Sequence, residues 1–391
     1  MQFSFWRRVS SLFIVAVSVF TLISCSEDPI LEEPTPQAVP FQRLMNFNWA
    51  RIDVGKLAVI GDRLYYSNVL TPGYFKEGKQ HQFSMRVFDM RFGHVFSDAF
   101  TIGVSENRRS LIVLPNLGYA DNYVSYLNSL NIPDLPTDYL LTPGWSENPN
   151  FGINGNYLLT SWESVNTQRT MDLVFIMELN FAPNPGHPDN LILDRNKPVS
   201  RIIPLNFEVD GRKVWKLISV FPFEEGWLAS LDIAGLQISV QISKDGRVRP
   251  LFEKLERFVL YGVEKLPSGE LFISNEGGMF YSNSGSPFEL IQFGRANRDI
   301  RFKFIGDRMV VWVGDDQLFE VQKYRTPSEL KFVALENKGL EGFKVKDVAL
   351  FEGKMYVSSN GGLFVKREAD FWAEKLVKSD PSMDIGWEVQ Y

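Results

Sequence analysis

At 391 residues, 45% hydrophobic and 23% charged, the chain has enough apolar material for one large domain or two ordinary ones. Its formal charge of −6 argues against a phosphate-neutralising face, so no nucleic-acid partner is expected. A single cysteine, Cys25, excludes internal disulfides, cysteine-based zinc sites and CxxC redox chemistry, and His81, His94 and His187 stand too far apart for a short-spaced metal pair.

The first stretch is an address. Arg7 and Arg8, an apolar run from Leu12 to Ile23 and small residues before a cleavage point have the order of a secretory leader. The run is about a dozen residues, whereas a bilayer-spanning helix needs about 20. It ends in Leu22-Ile23-Ser24-Cys25, which resembles the lipobox of bacterial lipoproteins. That resemblance implies that residues 1–24 are removed and that Cys25 carries the lipid, so the membrane is a partner through acyl chains. Ser26-Glu27-Asp28 is similar to the acidic surface-export signal of Bacteroidota-type lipoproteins, which implies an outer-membrane location facing outward. Pro29, Pro34, Pro36 and Pro40 make residues 25–40 an extended tether. Loss of the two leader arginines takes the charge to (41 − 2) − 47 = −8, leaving no polybasic patch for anionic headgroups.

From residue 41 onward one unit recurs. A polar or Gly-containing turn precedes an apolar strand beginning at Leu64, Leu111, Tyr157, Trp227, Leu271, Met309 and Met355, at intervals of 47, 46, 70, 44, 38 and 46 residues. The period is that of propeller blades. In the clearest copy, strands are expected at Val259–Lys265, Leu271–Ser274, Met279–Ser282 and Phe288–Phe293, with Asn275-Glu276-Gly277-Gly278 as the hairpin turn. The fold class expected is therefore all-β, a β-propeller of about seven four-stranded blades spanning residues 41–391. Two β-sandwich domains divided near Asn150 or Val209 are the alternative. Beyond the leader no sustained helical spacing appears; Asp370 to Lys378 fits one short turn of helix or an outer strand. Ser274-Asn-Glu-Gly-Gly-Met-Phe280 and Ser358-Ser-Asn-Gly-Gly-Leu-Phe364 resemble blade hairpins of sensor-type and BNR-like propellers, a likeness that implies the fold and no activity. Ser243-Lys-Asp-Gly-Arg has half of a sialidase Asp box and lacks its Trp.

Two stretches depart from the repeat. Leu117 to Asn150 is rich in Tyr, Pro and Asn; Glu163 to Val209 accounts for the long interval and contains Asn180-Phe-Ala-Pro-Asn-Pro-Gly-His-Pro-Asp189, expected as a loop rather than a strand. Insertions on a rigid scaffold are common binding surfaces. Turns between second and third strands reach the axial face of a propeller, and here their tips are Asn68, Trp162, Glu163, Asp232, Asn275, Glu276, Asp315, Asp316 and Asn360. Amides, carboxylates and one indole suit a sugar or a cation, and the same residue types also suit any tight turn. A glycosidase would draw its carboxylate pair from Glu163, Glu276, Asp315 and Asp316. No Gly-x-Ser-x-Gly elbow, Gly-rich phosphate loop or calcium loop is present, Asp210-Gly and Asp245-Gly reading as hairpin turns, and no cofactor is expected. The functions this leaves are a lipid-anchored binding propeller for a glycan or partner protein, a carbohydrate-active enzyme, or a scaffold component of an envelope assembly.

Overall fold

The computed structural model describes residues 38–374 apart from connecting stretches, of which 45–52, 83–89, 116–124, 143–149, 166–172 and 253–257 are the longest. Cys25 and the leader lie outside the described residues. Every strand falls within the compact unit Pro40–Tyr391.

Seven antiparallel sheets follow one another along the chain and stand in a ring, a seven-bladed β-propeller. The first strands of successive sheets neighbour one another around the axis: Val54–Ile60, Met90–Phe96, the paired fragments Tyr139–Leu141 and Gly152–Asn154, Lys216–Phe223, Gly262–Lys265, Arg301–Ile305 and Val345–Phe351. Six blades have four strands. The third has five because both short fragments pair with Tyr157–Ser164, splitting its innermost position in two. The fifth blade follows its sequence closely: Leu271–Ser274 and Met279–Ser282 stand as expected, flanked by Gly262–Lys265 and Ile291–Gly294. A short helical turn stands at Glu368–Phe371, earlier than expected and sharing only Asp370 and Phe371 with the expected stretch, of which residues 375–378 lie outside the described residues.

One expectation is corrected. The proline-rich insertion forms a hairpin, Phe181–Asn184 with His187–Leu193, with a register shift at Pro183/Asn184. Proline is excluded from strands whose N–H groups pair on both sides, whereas a two-stranded ribbon leaves one edge of each strand free. Phe181 stacks on Phe100 of the second blade at 4.2 Å, which anchors the hairpin to the ring. The long interval also contains a second hairpin, Glu208–Val209 with Arg212–Lys213.

Blades adhere through apolar faces and through a recurrent serine at the fourth or fifth position of the second strand. Ser230 Oγ accepts from Leu260 N at 2.9 Å, and Ser274 Oγ donates to Ile300 O at 2.7 Å; each ties its blade to the backbone entering the next. Ser358 Oγ does the same for the last blade, donating to Gly55 O of the first. All three are buried, where an unpaired backbone group is destabilising by about 1–3 kcal/mol. At the same place Gly262 is packed so closely that a Cβ would lie 2.9 Å from both Phe302 Cε1 and Ser274 Oγ.

The ring is closed by the segment that precedes the first blade. Gln42–Arg43 adds the outermost strand of the last blade, pairing with Val365 and Phe364. Phe41 N donates to Lys338 O at 2.7 Å, and the Phe41 ring meets Phe371 edge-on at 6.0 Å beneath the Lys366 ammonium. Phe41→Ala is therefore expected to lower the unfolding free energy by about 3 kcal/mol, read by urea denaturation of the chain. An unchanged midpoint would show that the closing strand contributes no stability.

Candidate functional site

The first strands begin at the ring face that carries the second-to-third-strand turns, because each antiparallel pair returns the chain to that end. There they surround a cavity of about 240 Å³. Its walls come from the innermost strands of the first, fifth, sixth and seventh blades, with Phe221 of the fourth and Trp312 of the sixth. Four cations, Lys56, Arg301, Lys303 and Lys346, and two carboxylates, Glu264 and Asp347, line it.

Local backbone irregularity supplies two of the cations. The ladders of Val54–Ile60 and Val345–Phe351 with their second strands each carry an extra residue, between Val54 and Leu57 and between Val345 and Asp347. Such bulges re-aim side chains that strict alternation would send elsewhere. Lys56 lies in the first bulge and Lys346 in the second.

Asp347 joins three blades. Its Oδ2 accepts from Leu57 N at 2.8 Å, and its Oδ1 accepts from Val348 N at 2.8 Å and from Lys303 Nζ at 3.2 Å. Lys303 Nζ also donates to Leu57 O at 3.2 Å, so the sixth, seventh and first blades meet at one carboxylate–ammonium pair. Glu264 Oε2 accepts from Phe304 N at 2.9 Å, tying the fifth blade to the sixth. Burial raises the Glu264 pKa, and Asp347 adds to this while the Phe304 N–H and Lys303 oppose it. Lys346 pairs with Asp53 at 2.5 Å.

Lys56 is different. Its ammonium lies 5.3 Å from the centre of the Phe221 ring and forms no ion pair with a described carboxylate. Removal from water lowers its pKa to about 8; the charge of Asp347 works against this, and Arg301 and Lys303 reinforce it.

The expected tip residues are distributed as follows. Asn68, Asn275, Asp315 and Asn360 stand at the same end as the cavity, since Val54 pairs with Asn68, Gly262 with Ser274, Arg301 with Trp312 and Val345 with Ser359. Three of them accept from backbone: Asn275 Oδ1 from Gly277 N and Asp315 Oδ1 from Gln317 N within turns, and Asn360 Oδ1 from Lys344 N at the entry to the first strand of the last blade. Asp232 Oδ1 accepts from Gly235 N, and Asp316 Oδ2 from Gly342 N. Glu163 is engaged by Arg108. Trp162 is fully buried against Phe175, so its indole is not a platform for a sugar. Glu276 lies outside the described residues. No group of three metal-ligating side chains occurs among the described residues.

Sequence reasoning missed Lys56, Glu264, Arg301, Lys303, Lys346 and Asp347. The signal available was a charge inside the apolar strand that precedes each anchoring turn, as in Val54-Gly-Lys-Leu-Ala-Val-Ile60 and Val345-Lys-Asp-Val-Ala-Leu-Phe351.

Two outcomes follow from this geometry. Asp347→Ala leaves Leu57 N and the Lys303 ammonium without their acceptor, and is expected to lower the unfolding free energy by about 3 kcal/mol in urea titrations. Lys56 loses its proton near pH 8 in the folded chain and near 10.5 when unfolded. Between those values the unfolded state binds more protons, so stability attributable to this group rises with pH. The unfolding free energy of the wild type relative to Lys56→Met should therefore increase from pH 7 to pH 10. A constant difference would show that Lys56 is not held in a desolvated site.

No protein-family profile and no curated protein matches the sequence. Among solved structures, the fold is similar to the extracellular domain of the one-component system BT4673 from B. thetaiotaomicron, with a TM-score of 0.53 at 9% identity, covering 84% of this chain and 40% of that one. The chain thus spans less than half of that neighbour. It is also similar to virginiamycin B lyase from Staphylococcus aureus, with a TM-score of 0.50 at 9% identity over 83% of this chain and 97% of that one. A third neighbour is the β-propeller domain of Cps50 (Swd1) from Myceliophteria_thermophila, with a TM-score of 0.50 at 10% identity over 80% and 96% of the two chains. At these identities the likeness establishes the β-propeller fold.

Proposed function

We propose that this protein is a lipoprotein held to the outer membrane through Cys25, facing outward, whose propeller binds a glycan or a partner protein without transforming it. The observation that carries the binding reading is the axial cavity. Its two carboxylates are committed to backbone N–H groups and to Lys303, while Lys56 presents an unpaired ammonium. The lipobox Leu22-Ile23-Ser24-Cys25 and the acidic residues behind it support the anchor and its orientation. The extracellular placement of the BT4673 domain agrees with that location.

A second reading, a carbohydrate-active enzyme, has one observation in its favour. Glu264, whose pKa burial raises, shares one cavity with Asp347, whose oxygens take three donors, so two carboxylates stand there in different environments. Binding is the stronger reading because those same donors occupy the Asp347 oxygens.

The test uses the chain without residues 1–25, which retains every described strand. On a glycan array and in a pull-down from envelope extract it is expected to retain a ligand, and Glu264→Gln is expected to retain it equally, with no product released. Turnover by the wild type lost in Glu264→Gln would replace binding with catalysis. Palmitate labelling is expected in the full chain and absent in Cys25→Ala; equal labelling would remove the anchor.

A further inference from the structure

We propose that the axial cavity takes the carboxylate-bearing end sugar of an acidic glycan, a uronic acid, with Lys56 and its neighbouring cations holding the carboxylate. This rests on the binding reading above and names the ligand class for that same site.

The charge balance points to an anion. The lining carries four cations and two carboxylates, 4 − 2 = +2, and remains at +1 when Asp53, the partner of Lys346, is counted. The whole chain has a formal charge of −6, so the axis has the opposite sign to the molecule that surrounds it. A cleft of one sign with low-dielectric walls concentrates the opposite charge. Within the cluster the internal pairs are already made: Lys303 with Asp347 and Lys346 with Asp53. The Lys56 ammonium has the Phe221 ring as its contact and no ion pair with a described carboxylate; Asp347 acts on it only at a distance, against Arg301 and Lys303.

The walls point to a sugar rather than a bare anion. Phe221, Tyr261, Phe302 and Trp312 line the same space as the cations. Their apolar surfaces suit the C–H face of a pyranose, and inorganic sulfate or phosphate has no counterpart for them. At about 240 Å³ the cavity is smaller than pockets for drug-sized ligands, roughly 300–1,000 Å³, and suits a single ring at a chain end. A further unmet group lies on its wall. Of the three buried indole N–H groups without an acceptor among the described residues, those of Trp162, Trp227 and Trp312, only that of Trp312 belongs to a side chain lining the cavity. A carboxylate or hydroxyl oxygen would supply the acceptor it lacks.

The charged groups that act on Lys56 are Arg301 and Lys303 from the sixth blade and Asp347 from the seventh; Glu264 of the fifth and Lys346 of the seventh line the same cavity. Affinity for a carboxylate should therefore follow protonation of Lys56, whose pKa is about 8 in the free protein. The anion itself raises that pKa, so the loss of affinity between pH 7 and pH 9 should be several-fold and at most about tenfold.

The experiment is calorimetric titration of the chain lacking residues 1–25 with glucuronate, galacturonate, glucose, galactose, inorganic phosphate and a tripeptide with a free C-terminal carboxylate. The expected result is binding of a uronate at least tenfold tighter than its neutral sugar and tighter than phosphate, weakening from pH 7 to pH 9. Lys56→Met, a volume-conserving change at an unpaired cation, should lose that binding at least tenfold while keeping its circular dichroism. The pH profile of the wild type gives the same answer without any variant. Equal affinity for uronate and neutral sugar, pH-independent uronate binding, or a preference for phosphate or for the peptide carboxylate would overturn the proposal. Retention of a neutral glycan on the array alongside failure here would leave the binding reading intact, whereas silence in both would remove both.

Discussion

A propeller is a cyclic structure made from a linear chain, so its stability depends on how the cut is sealed. Here the seal has an outer and an inner part. Outside, Gln42–Arg43 completes the last sheet. Inside, the Asp347 carboxylate holds Leu57 N of the first blade and the Lys303 ammonium of the sixth. The inner part is the more demanding, because Asp347 is buried in a wall where a charge is tolerated only if its lone pairs are used. They are used: three donors converge on two oxygens. Ser358 adds a neutral tie from the seventh blade to Gly55 beside the same seam.

That arrangement explains why the axis is charged at all. An apolar axis would pack seven inner strands equally well, but it would give no directional preference for which blade meets which. Fixed hydrogen bonds donated by Phe304 N to Glu264 and by Leu57 N to Asp347 set the axial register of neighbouring blades, as the serine ties do one strand further out. Lys303 then neutralises Asp347. Lys56 has no such duty, and its presence in a bulge beside Phe221 is what the sealing function leaves unexplained.

The repeat was legible because its most regular part, the second and third strands and the turn between them, is governed by local chemistry. Leu271–Ser274 and Met279–Ser282 need only short apolar runs and a turn of small or amide residues, and both strands stand where that chemistry puts them. The serine that closes Leu-Tyr-Tyr-Ser67, Trp-Leu-Ala-Ser230 and Leu-Phe-Ile-Ser274 as sequence motifs was visible too, although its role required knowing which backbone lies beside it. The hairpin at 181–193 was hidden by prolines whose prohibition applies to paired interiors. Trp162 illustrates the reverse case: a residue near a turn tip that alternation turns into the core. The cavity was illegible because its charges sit on four different strands, and a lysine within an apolar strand has the same appearance whether it faces solvent or an axis.

The site and the seam coincide. Lys303 and Asp347 line the cavity and close the ring, and the walls belong to the fifth, sixth, seventh and first blades, those flanking the junction of the chain's two ends. A ligand seated there touches blades that are distant in sequence and adjacent only in the folded ring. It therefore binds the closed state and not an opened one, and a ligand at a hundredfold its Kd adds roughly 2.7 kcal/mol to the stability of closure. The bulges at Lys56 and Lys346 belong to the same logic, since each turns a side chain toward the axis beside a strand that must also meet its neighbour. On the proposed binding function, recognition at this axis would use the contacts that hold the first and last blades together, so occupancy and ring integrity would be thermodynamically linked.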